Sequence, residues 1–97
     1  MTDTQTADPL RILREVDAVA TAEVIRRDGS ATLGRRASMV GVDASNWTRS
    51  LSGARPAGWH YVIEAIRNWN RDPTRPRLEM VVSTTVELRV GAPCVEL

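Results

Sequence analysis

Up to residue 70 apolar residues recur at steps of three and four, and from residue 78 they recur at steps of two. The first spacing lines one face of an α-helix and the second lines one face of a strand. Leu10, Leu13, Val16, Ala20 and Val24 make the first helical stripe, widened by Ile12 and Val19. Asp8-Pro9 supplies its start: an N-cap carboxylate, then a proline where no amide hydrogen is needed. Gly29, after Arg26-Arg27-Asp28, supplies its stop. A short second helix is capped by Ser30 or Thr32 and carries Arg35 and Arg36, with Gly34 inside it. Gly41 allows a sharp turn. Asp43 is the expected side-chain cap of a third helix over residues 44–51, with Trp47 and Leu51 turned inward. After Gly53 and Pro56 a fourth helix is predicted from Pro56 to Asn70, with Trp59, Val62, Ile63, Ile66 and Trp69 on one stripe.

Arg71-Asp72-Pro73-Thr74-Arg75-Pro76-Arg77 reads as a linker, because its two prolines forbid a continuous helix. Beyond it, Leu78, Met80, Val82, Thr84, Val86, Leu88 and Val90 recur with a period of two, which with the β-branched residues favours an extended strand. A lone strand must find a partner. The pairing is expected with the same strand of a second copy, or within a hairpin in the tail. The alternative is a fifth helix on Leu78, Val81, Val82 and Val86 that would also serve an oligomer interface.

The outer face left by this pattern on the third helix is polar: Ser45, Asn46, Thr48 and Arg49. Such a face suits a helix lying in a DNA major groove. Arg49 can make paired hydrogen bonds to guanine O6 and N7, Ser45 and Asn46 can meet either base type, and Ala44 can touch a thymine methyl. Arg35, Arg36, Ser52 and Arg55 are the candidate phosphate contacts, arginine forks being matched to phosphate oxygens. A plain helical bundle would contain the same bend, so the outer face is what carries the reading.

Charge sharpens the picture. The net charge is only +1, and all thirteen basic residues are arginine. Residues 1–25 hold two arginines and five acids, residues 26–77 ten arginines and four acids, and residues 78–97 one arginine and three acids. The basic excess therefore sits in the middle block, with the bend and its polar helix. Trp47, Trp59 and Trp69 are expected as core bulk, since there is no Phe.

Ala37-Ser38-Met39-Val40-Gly41-Val42-Asp43-Ala44-Ser45-Asn46-Trp47-Thr48-Arg49 resembles the helix-turn-helix of the phage CII transcription activators, within the lambda-repressor-like superfamily. The specific part is the run Ala37, Val40-Gly41-Val42-Asp43 and Ser45, followed by Arg49. The likeness extends weakly over residues 10–70 and leaves out the tail. It implies a mainly α fold: a four-helix lambda-repressor-like helix-turn-helix domain, here followed by a C-terminal β-strand or fifth helix used for oligomerisation. The corresponding boundaries are a disordered lead-in at 1–8, the DNA-binding domain at 9–71, a linker at 72–77 and an oligomerisation segment at 78–97.

The resemblance implies a sequence-specific DNA-binding transcriptional regulator of phage or mobile-element type. Its recognition positions fall on Ala44, Ser45, Thr48 and Arg49. The expected partners are double-stranded DNA, a second copy in a homodimer and, for an activator, RNA polymerase. The alternative is a protein-interaction module that keeps the helical bend, such as an antitoxin or a nucleoprotein assembly subunit. No enzyme, metal or cofactor is expected, because His60 and Cys94 stand alone and no ligand spacing or phosphate-binding loop is present. With no apolar run to cross a bilayer and no signal-peptide pattern, a cytoplasmic protein without membrane contact is the default expectation.

Overall fold

In a computed structural model, residues 8–95 are described. They form four helices and an antiparallel hairpin: α1 (Pro9–Asp28), α2 (Leu33–Met39), α3 (Ala44–Ser52), α4 (Trp59–Trp69), β1 (Arg77–Val82) and β2 (Val86–Gly91). Residues 1–7 of the lead-in expected at 1–8, and the end of the 78–97 segment, lie outside the described residues, while Asp8 belongs to α1 as its N-cap. No helix among the described residues is long and apolar enough to cross a membrane.

Local chemistry sets most helix ends. Asp8 accepts the Leu10 amide at 3.0 Å ahead of Pro9, and α1 stops at Gly29 in the left-handed region. Thr32, rather than Ser30, caps α2 by accepting the Arg35 amide at 3.2 Å. The Asp43 carboxylate makes no cap bond on α3, contrary to expectation. That end is held by the Asp43 carbonyl, which accepts the Trp47 amide at 3.0 Å, and by burial of Trp47. The start of α4 also differs from expectation. It begins at Trp59, because Gly58 is extended as the N-cap and Ala57 packs against the core ahead of it.

The core lies between α1 and the other elements. Ile12, Leu13, Val16, Ala20 and Val24 are fully buried along α1, facing Val40, Trp47, Val62, Trp69 and Leu78. Trp47 and Trp69 supply the largest buried volumes, while Trp59 is only half-buried. The buried stripe of α4 is Val62, Ala65, Ile66 and Trp69. Ile63, expected inside, is exposed.

Of the arrangements left open for the alternating tail, the hairpin within the tail is the one that forms, and the fifth helix is excluded. Leu78, Met80 and Val82 stand opposite Val90, Leu88 and Val86, with Ser83-Thr84-Thr85 between the strands. Their shared face lies against α1 and α4, and Glu79 faces Arg89 on the other side. The strand therefore finds its partner inside the chain, and the need for a second copy to complete it disappears. Asn70 fastens β1 to the end of α4 by bonding the Leu78 amide and carbonyl at 2.9 and 2.8 Å. On the other side Arg11 reaches the Val86 carbonyl at 2.6 Å.

Of the linker expected at 72–77, Arg77 opens β1 and residues 72–76 tie three helix ends together. Arg75 donates to the Met39 and Trp69 carbonyls at 3.0 and 3.2 Å and stacks on the Trp69 ring. One guanidinium thus satisfies terminal carbonyls of both α2 and α4, where a cation also suits the helix dipoles. Burial pushes the Arg75 pKa down, though a guanidinium stays protonated in a protein. From α1, Arg27 bonds Thr74 while also pairing with the buried Glu23. Hydrogen bonding from Arg26, then Arg27, holds the Glu23 carboxyl below its ordinary range despite its burial.

Candidate nucleic-acid interface

The site begins at a backbone bend. Gly41 takes φ 73, a left-handed conformation open to glycine without a Cβ penalty. Space is equally restrictive there, since a β-carbon on Gly41 would run into the Asn68 side chain. Asn68 is held in turn by donating to the Val40 carbonyl at 3.0 Å. The bend between α2 and α3 is thereby pinned to α4, and the orientation of α3 follows from it.

Trp47 fixes which way α3 rolls. Its ring is completely buried and tilted against Tyr61, with centroids 6.4 Å apart. Its indole N–H donates to Asp17 on α1 at 2.9 Å. Ser50 is the other fully buried α3 residue and Leu51 is only half-buried, so the inner face is centred between Trp47 and Ser50. The Ser50 hydroxyl has no partner there. Ser45, Thr48, Arg49 and Ser52 are left exposed on the outer face.

The predicted base-contacting residues divide accordingly. Ser45, Thr48 and Arg49 are exposed and on one helix. Ala44 is half-buried and packs against the core, which takes it out of the outer face. Asn46 is half-buried and accepts Arg55 Nη1 at 2.8 Å, so its amide positions an arginine.

The phosphate candidates divide as well. Arg36 is withdrawn from the set: its Nε donates to Asp17 at 2.9 Å, and both side chains are about four-fifths buried. The same Asp17 oxygen accepts Trp47, so Arg36 neutralises the carboxylate that orients the core tryptophan. Arg35 is half-exposed but paired with Asp28 at 2.9 Å, and a phosphate would have to compete with that carboxylate. The Ser52 hydroxyl finishes α3, donating to the Arg49 carbonyl and accepting the Ala54 amide. Arg55 is exposed, lies over the Tyr61 ring at 6.0 Å, and sends its amide to the Arg49 carbonyl at 3.0 Å.

One further arginine belongs here. Arg14, on α1, donates Nε to the Leu51 carbonyl at 3.0 Å and caps the end of α3. Arg14, Arg49 and Arg55 all meet α3, and none has a carboxylate within ion-pair distance among the described residues. Arg26, Arg27, Arg35, Arg36 and Arg75 all have one. Nothing in the sequence marks Arg14 out, because its approach to α3 is a contact across thirty-seven residues. No known family model, curated protein or solved structure matches the chain.

Proposed function

We propose that the protein is a sequence-specific DNA-binding regulator in which α2, the Gly41 bend and α3 act as a helix-turn-helix. The observation that carries the proposal is the gathering of Arg14, Arg49 and Arg55 around α3 without carboxylate partners, beside the exposed Ser45 and Thr48. Guanidinium groups without carboxylate partners around an exposed helix face gain most from a polyanion, since binding it breaks no existing ion pair. In this reading α3 enters the major groove, Arg49 reads guanine with Ser45 and Thr48 beside it, and Arg14 and Arg55 grip flanking phosphates. Arg35 plays a lesser part and Arg36 none.

A second reading, a protein-interaction module, is favoured by one observation. Trp59, Ile63, Met80, Val82 and Val86 line an open apolar groove of about 270 Å³ between α4 and the hairpin. The two readings separate in a selection from a pool of random duplexes. A regulator enriches a recurring motif at moderate salt, and a pure interaction module enriches none. The arginine cluster favours the first.

A further inference from the structure

We infer that β2 is a dimerisation edge, pairing antiparallel with β2 of a second copy about a two-fold axis at Leu88. In an antiparallel pair, successive residues point their N–H and C=O alternately toward the partner strand and away from it. Both backbone groups of Leu78 bond the Asn70 side chain, so they point away from β2. The same phase sends Met80 and Val82 outward on β1, and their opposites Leu88 and Val86 outward on β2, with Val90 opposite Leu78. Arg11 reaching the Val86 carbonyl from outside the hairpin agrees with that phase.

The two edges are not equivalent. On β1 the outward groups of Leu78 are already occupied by Asn70. On β2 both groups of Leu88 and Val90 and the Val86 amide have no partner among the described residues. A strand edge of this kind, with no proline and with apolar residues on one face, is a template for another strand.

Charge selects the occupant. With Leu88 on the axis, Val86 stands opposite Val90 of the second copy, and Glu87 opposite its Arg89. Both contacts occur twice, as a closed two-fold interface requires. Opposite charges directly across strands are favourable. The equivalent pairing of β1 about Met80 would set Glu79 against Val81 and gain nothing. Room is also present. A groove of about 460 Å³ runs beside this edge, lined by the apolar Ala18, Val19, Ala22, Pro76 and Val90 together with Glu23 and Arg26. Val86 of the second copy would fall over it. The product is a four-stranded sheet backed by α1 of both copies. This inference stands on the strand edge alone and is independent of the DNA reading.

The test is sedimentation velocity on the full chain, with amide hydrogen exchange on the same samples. The expected particle has twice the chain mass of 10.7 kDa. Glu87→Arg sets arginine against arginine across the axis while its neighbour within the chain stays Val81. It should weaken association about tenfold or more, and mixing it with Arg89→Glu should recover a mixed dimer. In the unaltered protein the Leu88 and Val90 amides should exchange slowly while Met80 and Val82 exchange fast, a readout that stands even if Arg89→Glu fails to fold. A monomer at the concentration of an NMR sample would overturn the inference. So would a Leu88 amide as fast as Met80 in a dimer, or a dimer lost on Ile63→Glu and kept on Glu87→Arg.

Discussion

Arg36 and Arg49 are the same residue type on adjacent helices, and the fold gives them opposite work. Arg36 lies against Asp17 beneath Trp47, with about a fifth of its side chain exposed. Removing it strands a mostly buried carboxylate. Arg36→Ala should therefore lower unfolding stability by about 1–3 kcal/mol, and leave the DNA affinity of the folded fraction unchanged. Arg49 is exposed and makes no ion pair. Arg49→Ala should leave the unfolding curve in place, cost about 1–3 kcal/mol of binding to a preferred duplex, and relax the preference at one base pair. Urea unfolding and fluorescence anisotropy separate the two effects, and the reverse assignment would contradict the site. The outward position of Ser45, Thr48 and Arg49 was legible in the sequence, because a buried tryptophan fixes the roll of a short helix. The loss of Arg36 was not legible, because its partner Asp17 lies nineteen residues away on another element.

At the scale of elements, the loop after α4 matters as much as the helices it follows. Arg75 satisfies carbonyls at the ends of both α2 and α4, and is itself mostly buried on Trp69. Arg75→Ala should cost about 2–3 kcal/mol, because hydrogen bonds from a charged donor are lost together with dipole compensation. Arg75→Lys should recover only part of this, since an ammonium lacks the planar fork. Amide exchange at Val40 and Asn70 would quicken first if the account is right, and uniform quickening across the chain would argue against it. The four helices could be read in advance from caps and spacing, as could Thr32 as one of two possible caps. The hairpin was one of two pairings left open for the tail, and the sequence did not choose between them because the turn, Ser83-Thr84-Thr85, lacks Gly, Pro, Asn and Asp, and Thr84 continues the alternation. The loop was read as a spacer because proline content announces only where a helix stops, not what its arginines will touch.

At the scale of the whole molecule, charges divide into those that hold the fold and those left for a partner. Glu23 with Arg26 and Arg27, and Asp72 with Thr74, Arg75 and Arg27, belong to the first group. Arg26 and Arg27 hold the Glu23 carboxyl low, and hydrogen bonds from Thr74 do the same for Asp72. A carboxyl whose folded pKa lies below its unfolded value stabilises the fold above the unfolded pKa. That stability is lost as pH falls through the folded one. Urea midpoints should therefore stay level from neutral pH to about pH 5 and fall below about pH 4. Glu23→Gln should lower the plateau and flatten the acid limb, and an unchanged limb would remove Glu23 from the tie. The second group includes the arginine cluster around α3. Selection of bound sequences from random duplex DNA tests that cluster most directly. One recurring motif is expected, with enrichment that Arg49→Ala blurs at a single position and Arg36→Ala leaves intact. Equal recovery of all sequences by the wild type and by Arg49→Ala would contradict it.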